Sequence, residues 1–215
     1  SRTAVFTTTH PLMSAFSPVS WQAMGIPETF GSREIALYEE RAAVYRKLGI
    51  YQTYTCLPTL VGNAPRKGQY LSWIGAGAQT MVNSVVGART NRDGALLTMA
   101  SAVTGRAAEW GLYLDENRFA EVAVSLEGLD SRGFTLTDYG ALGYYVGAIA
   151  QGRNIVIDGL PKDMNVEQIK SLMAPLGTSG AVTMCHIVGV TPDAQTLGQA
   201  LGGKDPSETI RVGRD

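Results

Sequence analysis

Apolar side chains between positions 34 and 48 recur at steps of three and four residues, and charged side chains fill many of the positions between them. The apolar positions are Ile35, Tyr38, Ala42, Tyr45 and Leu48. This period places all of them on one face of an amphipathic helix. Gly49 follows directly and suits the left-handed conformation that often ends a helix. The pattern therefore predicts a helix over residues 34–48 that stops at Gly49.

Two segments in the first third have the composition of strands. Residues 3–18 mix threonine, serine and proline around Val5 and Phe6, which predicts a strand followed by a loop. Residues 50–55 alternate β-branched and aromatic side chains, and the turn-rich segment 58–68 comes after them. We therefore expect a second strand that delivers Cys56 to a junction between strand and loop.

Small apolar residues dominate positions 75–87 and 95–104. Both segments predict buried helices, the first running into the polar loop 88–94 and the second ended by Gly105. The apolar segment 140–150 is predicted to be a buried strand or helix, because it is far shorter than the roughly 20 residues that a membrane span needs.

The last third contains one more helical signal. Asn165 is followed three residues later by a glutamine, which is the pattern of an N-cap with a capping box. We expect a helix that continues through Met173 and is broken by Gly177 and Gly180.

Strand-forming segments lie on both sides of this helix, at residues 154–157 and 181–190, and the second contains Cys185 and His186. Together they predict a β-α-β unit. The alternation of helices and strands along the chain predicts a layered α/β domain.

Composition narrows the class of protein. With 215 residues, of which 45% are hydrophobic, the chain fits one or at most two globular domains. The net charge of −1, from 18 basic and 19 acidic residues, gives no electrostatic reason to expect nucleic acid or an anionic membrane as a partner. The two cysteines do not form the dense framework of a small secreted domain, so we expect a reducing cytoplasm. Because the first residue is serine, we also expect trimming, truncation or upstream sequence that is left out.

The segment at residues 83–94, with the sequence NSVVGARTNRDG, is the strongest candidate for chemistry. Guanidinium, amide and hydroxyl groups between glycines suit a carboxylate or phosphate held by bidentate hydrogen bonds. A solvated loop after a helix is the alternative. The DENR segment at 115–118 would orient a substrate or brace these arginines, or it is a surface charge patch.

Cys56 and Cys185 are possible iron ligands, but a simple iron–sulfur cluster uses about four protein ligands. Two cysteines therefore cannot complete one. Cys185 fits better as a buried strand residue, and His186, on the opposite face of a regular strand, fits a structural histidine that we keep as an additional candidate. The sequence lacks the nucleophile-elbow, zinc-protease and phosphate-loop motifs, and Gly75 and Gly77 do not form a dinucleotide fingerprint.

A series of segments in order along nearly the whole chain resembles the successive signatures of the aconitase X family. The segments are YTCLP at 54–58, VGN at 61–63, NSVVGARTNR at 83–92, TGR at 104–106, GLYLDENR at 111–118, DYGALGYY at 138–145 and HIVGVTP at 186–192. The resemblance implies a layered α/β/α domain of the aconitase catalytic type with a mostly parallel sheet. Residues 1–215 would be part of the large catalytic domain, without the swivelling small domain or subunit and the C-terminal part.

The function implied by the resemblance is that of an iron–sulfur hydro-lyase. The substrate would be cis-3-hydroxy-L-proline or mevalonate 5-phosphate, and we favour the first because the chain has no obvious additional basic cluster for a phosphate. Cys56 matches a position that binds the cluster. Two segments match the active site: Asn83, Ser84, Arg89, Thr90, Asn91 and Arg92, and Asp115, Glu116, Asn117 and Arg118. Arg89 and Arg92 are the candidates for holding the anionic group of the small substrate.

The sequence departs from the family at residues 73–77, where WIGAG replaces an acidic, serine-rich stretch. A second hypothesis follows from this departure and from the small number of cysteines. The chain would then be a catalytically inert relative or fragment that binds a small acid through Arg89 and Arg92.

Overall fold

The computed structural model describes residues 2–10, 23, 25 and 27–213. The helices are α1 (Glu28–Leu48), α2 (Ala76–Met81), α3 (Ala95–Thr104), α4 (Leu136–Ala150), α5 (Val166–Gly180) and α6 (Leu197–Ala200). The strands are β1 (Val122–Leu126), β2 (Ile155–Asp158), β3 (Cys185–Ile187) and β4 (Glu208–Val212). The chain forms two compact units, Ser1–Ala64 with Ala95–Ala107, and Pro65–Gly94 with Ala108–Asp215.

Helix α1 of the first unit confirms the amphipathic pattern. Ala42 is buried at its centre and the other four apolar positions are half-buried, whereas the charged positions from Glu39 to Arg41 are exposed. Gly49 has a φ of 78° and donates its backbone N–H to the carbonyl of Arg46, so the left-handed cap forms as predicted. The helix begins earlier than the pattern indicated, directly after Pro27.

The strand predicted over residues 50–55 is wrong. Tyr51 makes a single bridge to Thr8, and Tyr54 has a φ of 48°, which no strand residue adopts. The backbone N–H of Tyr54 is held in this conformation by the hydroxyl of Thr9 at 3.0 Å. The strand predicted within residues 3–18 does not form in residues 2–10, where Thr8 makes a single bridge. Residues 11–18 of that prediction lie outside the described residues.

Helix α3 has the predicted bounds, and Gly105 follows it with a φ of 68°. Its predicted burial is wrong for most of its length. Leu96 is 89% exposed within the described structure, and only Ser101 and Ala102 are buried. The polar positions Thr98, Ser101 and Thr104 recur at steps of three, yet Ser101 is one of the two buried residues, so the pattern did not indicate which face would be covered.

The second unit contains a four-stranded parallel sheet in the order β3-β2-β1-β4. One face packs through Val124, Ile157 and Ile187 against α4 and α5. The other face packs through Val156 against Ala200 and Leu201 at α6. This is the layered α/β fold with a parallel sheet that the sequence predicts, although β1 and β4 were not foreseen.

The predicted break at Gly177 is wrong, because α5 continues through it, whereas the helix ends at Gly180 as predicted. A side chain on Gly180 would collide with the carbonyl oxygen of Gly147 in α4, and one on Gly177 would lie 2.7 Å from the carbonyl carbon of Ala76 in α2. These glycines therefore permit two neighbouring helices to approach α5 closely.

We predict that Gly180→Ala destabilises the protein by about 2 kcal/mol or more, because backbone atoms of α4 cannot move aside as a flexible side chain would. Urea denaturation measures this loss. Gly198→Ala in α6 is the control, since nothing lies within 4 Å of its Cβ position, and it should be neutral or up to about 1 kcal/mol more stable. Equal stabilities of the two variants would contradict this packing.

Candidate functional site

The candidate loop begins where α2 changes its hydrogen-bonding pattern. Helix α2 continues into a π-helical turn, Val82–Val86, and Gly87 ends it with a φ of 71°. The helix predicted over residues 75–87 is thus present, with a π turn at its end. Such turns often occur at functional sites, and this one buries Asn83 and Ser84 completely.

Asn83 ties the loop to the sheet unit. Its Nδ2 donates to the carbonyl oxygens of Thr90 at 2.9 Å and Thr183 at 3.2 Å. Its Oδ1 accepts from the backbone N–H of Thr90 at 2.9 Å. A single amide side chain therefore closes residues 83–90 and attaches them to the segment that precedes β3.

Arg118 is a buried guanidinium that packs against the same asparagine. It donates to the carbonyl oxygens of Asn83 at 3.0 Å and Leu112 at 3.2 Å, and Nη2 lies 3.6 Å from Oδ2 of Asp193. Burial lowers the pKa of Arg118, and the charge of Asp193 opposes that shift. The side chain is only 6% exposed, so Arg118 braces the loop from inside.

Arg89 lies at the edge of the loop and is partly exposed. It donates to the carbonyl oxygen of Tyr113 at 2.8 Å and forms an ion pair with Asp115. Its guanidinium also lies over the ring of Tyr70, 5.8 Å from the centroid. The structure therefore brings Arg89 and Asp115 together, and Asp115 braces this arginine.

Other polar side chains of this segment form hydrogen bonds with backbone groups of the protein. Ser84 Oγ accepts from the backbone N–H of Cys185 at 2.9 Å. Asn91 donates to the carbonyl of Trp110 at 3.1 Å and accepts from the backbone N–H of Leu112 at 2.7 Å. These contacts make residues 83–91 a fixed framework.

Arg92 and Glu116 differ from the others, because both are exposed and neither forms a hydrogen bond or ion pair within the described part of the chain. Asn117 is exposed as well and donates to the carbonyl of Gly111 at 3.1 Å. Arg92 is therefore the arginine of this loop whose guanidinium is available to an external anion.

Two charged residues beside the loop, Lys67 and Asp193, were not predicted from the sequence. Lys67 Nζ lies 2.7 Å from Oδ1 of Asp193. Although burial raises the pKa of Asp193, the hydrogen bond and charge of Lys67, followed by the charge of Arg118, hold it below its ordinary value. Asp193 directly follows the segment at 186–192 that resembles the family, so that segment was the available signal.

The two cysteines have opposite environments. Cys56 is exposed in a bend, whereas Cys185 is completely buried in β3, where burial raises the pKa of its thiol. The interpretation of Cys185 as a buried strand residue is confirmed.

His186 points to the other face of the sheet from Cys185, as predicted. Its Nε2 lies 2.8 Å from the carbonyl oxygen of Arg118, so Nε2 carries the ring proton. Nδ1 has no hydrogen-bond partner among the described residues. Burial lowers the pKa of His186, which favours the neutral ring.

Comparison with protein-family profiles finds two consecutive matches that together cover nearly the whole chain. The aconitase X first-domain profile matches residues 1–116, and the aconitase X second-domain profile matches residues 120–215. The chain belongs to the aconitase X family. The boundary between the two profiles runs close to Arg118, so the network around Asn83 joins residues matched by both.

Two relatives of the chain have names that describe dehydratases. The chain is 38% identical over 196 residues to the cis-3-hydroxy-L-proline dehydratase of Pseudomonas aeruginosa, covering 91% of this chain and 33% of that protein. It is 38% identical over 195 residues to the phosphomevalonate dehydratase large subunit of Methanosarcina mazei, covering 90% of this chain and 46% of that protein.

A solved structure in the family is similar in fold. The holo-form of Thermococcus kodakaraensis aconitase X superposes with a TM-score of 0.80 at 32% identity, covering 99% of this chain and 49% of that one. The chain therefore spans less than half the length of each of these three proteins.

A simple iron–sulfur cluster uses about four protein ligands. The part of the chain that the structure describes contains no group of three or more histidine, cysteine, aspartate or glutamate residues suited to a metal ion. Cys56 offers one accessible thiol, whereas Cys185 is enclosed in the apolar core. The described residues therefore do not complete a cluster site. Of the described helices, none has the length and apolar character of a membrane span.

Proposed function

We propose that the whole protein is a hydro-lyase that removes water from a small hydroxy acid, and that this chain is part of its aconitase-like catalytic (large) domain. The observation that carries the proposal is the 38% identity with two relatives that are both named dehydratases. The activity belongs to the whole protein, because this chain spans less than half of either relative.

Arg92 is the residue that we propose to contact the anionic group of the substrate directly. A guanidinium binds a carboxylate by two parallel hydrogen bonds, and Arg92 is exposed without a partner in the described structure. Arg89 would assist from the edge of the loop, where Tyr113 and Asp115 fix its direction. The buried residues Asn83, Ser84, Thr90, Asn91 and Arg118 would hold the loop in place, and Glu116 and Asn117 would lie beside it.

We favour cis-3-hydroxy-L-proline as the substrate. The positive charge of Lys67 is balanced by Asp193, and Arg118 is buried. Arg92 and the partly engaged Arg89 remain as cations for an anion, which suits one carboxylate better than a carboxylate and a phosphate together. Mevalonate 5-phosphate is the alternative, supported by the similarity to the phosphomevalonate dehydratase large subunits.

For the cofactor, we propose that Cys56 supplies one thiolate ligand of an iron–sulfur cluster and that the other ligands come from outside the described residues. Bound, such a cluster would supply a Lewis acid for the departing hydroxyl. The exposed thiol supports this role for Cys56, and the small swivelling domain or subunit would be the partner of this chain. A reducing compartment, the cytoplasm, agrees with two free cysteines among the described residues.

The test of function uses the full-length protein together with its small domain or subunit. We expect turnover of cis-3-hydroxy-L-proline, and Arg92→Gln should raise KM by about tenfold or more because a charge-assisted bidentate contact is lost. Arg132→Gln, at an exposed arginine beyond the loop, is the matched control and should leave KM unchanged.

The other outcomes separate the alternatives. Turnover of mevalonate 5-phosphate alone would assign the second substrate. Binding of a carboxylate without turnover of either compound would support the inert relative suggested by the departure at residues 73–77.

Cluster ligation has its own test. We expect Cys56→Ser to lose most of the protein-bound iron and the visible absorbance of the cluster, because a ligand is removed. Cys185→Ala should retain both, since its thiol is enclosed in the core. Iron determination on the purified variants measures this difference, and full iron content in Cys56→Ser would rule out the proposed ligand.

A further inference from the structure

The ion pair between Lys67 and Asp193 lies next to Gly87, which precedes residues 88–94, the segment that we call the arginine loop. A Cβ on Gly87 would lie 3.1 Å from Cγ of Pro192 and 3.2 Å from Cγ of Lys67. The backbone N–H of Gly68 also donates to the carbonyl of Gly87 at 2.8 Å. The side chains of Lys67 and Pro192 thus both lie against Gly87 at the start of the loop. We call the Lys67–Asp193 pair across Gly87 the clasp.

Asp193 is itself held by a fixed turn. The hydroxyl of Thr191 accepts from the backbone N–H of Ile187 at 3.0 Å, and the backbone N–H of Ala194 donates to the carbonyl of Thr191 at 3.1 Å. The N–H of Gly189 donates to the carbonyl of Ala194 at 2.8 Å. The carboxylate of Asp193 therefore projects from a rigid connection after β3.

Each oxygen of this carboxylate has a separate cation. Oδ1 lies 2.7 Å from Lys67 Nζ, and Oδ2 lies 3.6 Å from Nη2 of the buried Arg118. An exposed ion pair alone contributes little. A buried guanidinium that loses its carboxylate is costly, because the charge remains in a poorly solvated place. Asp193 therefore contacts both the exposed Lys67 and the buried Arg118, which supports the same loop from the protein interior.

We propose that Asp193 is a positioning residue that fixes the arginine loop from both sides, through Lys67 outside and Arg118 inside. This inference rests on the proposed function, because the loop is assigned to substrate binding there. Asp193 would not touch the substrate. Its effect would reach Arg89 and Arg92 through the backbone of residues 87–92.

Hydrogen exchange in the full-length protein tests the positioning without any assay of activity. The amide of Arg89 donates to the carbonyl of Gln69 at 2.9 Å, and that of Thr90 to Oδ1 of Asn83 at 2.9 Å. In Asp193→Asn we expect both amides to exchange about tenfold faster or more, because local opening becomes easier. Glu208→Gln, which breaks the exposed Arg153–Glu208 pair in the same unit, is the control and should leave them unchanged.

A second variant tests the same inference independently of whether Asp193→Asn folds. Lys67→Met removes the clasp while Arg118 keeps its carboxylate, and a smaller increase in exchange at the same amides is expected. Unchanged exchange in both variants would overturn the inference.

Kinetics then distinguishes positioning from a general loss of structure. We expect Asp193→Asn to raise KM about tenfold with a much smaller change in kcat, and Asp193→Glu to restore most of the affinity. An unchanged KM with faster exchange would mean that the loop moves but does not bind substrate, which contradicts the positioning role. If the wild-type protein turns over neither substrate, the proposed function fails, and the exchange result still decides whether Asp193 fixes the loop.

Discussion

The burial of one positive charge, the guanidinium of Arg118, determines how the arginine loop is built. A buried cation needs nearby acceptors, and Arg118 finds them in the carbonyls of Asn83 and Leu112 and in the carboxylate of Asp193. Asn83 in turn holds both backbone groups of Thr90. The loop therefore cannot change shape without leaving buried polar groups unpaired, and this constraint leaves Arg92 at the surface.

The same network explains why the boundary between the two family profiles is not a structural boundary. The arginine loop belongs to the first-domain match, yet it packs in the compact unit that contains the parallel sheet. Ser84 holds the first residue of β3, and His186 in that strand contacts the carbonyl of Arg118. Hydrogen bonds therefore join residues matched by both profiles in one network.

Local patterns in the sequence predicted those features that depend on local physics. The face and cap of α1 and the capping box at Asn165 follow from periodicity and short-range hydrogen bonds, and both were foreseen. Gly177 was misjudged, because a glycine that is unfavourable in an isolated helix is required where two helices touch. The pairing of Lys67 with Asp193 joins residues far apart in the chain, so no local pattern could indicate it.

A buried polar network holds the loop, and paired asparagine variants test this network most directly. Asn83 is completely buried and Asn117 is exposed, and each donates to backbone carbonyls. Urea denaturation should give a loss of about 2–4 kcal/mol for Asn83→Ala, because its buried partners stay unpaired, and below about 1 kcal/mol for Asn117→Ala. Equal and small losses in the two variants would contradict the account.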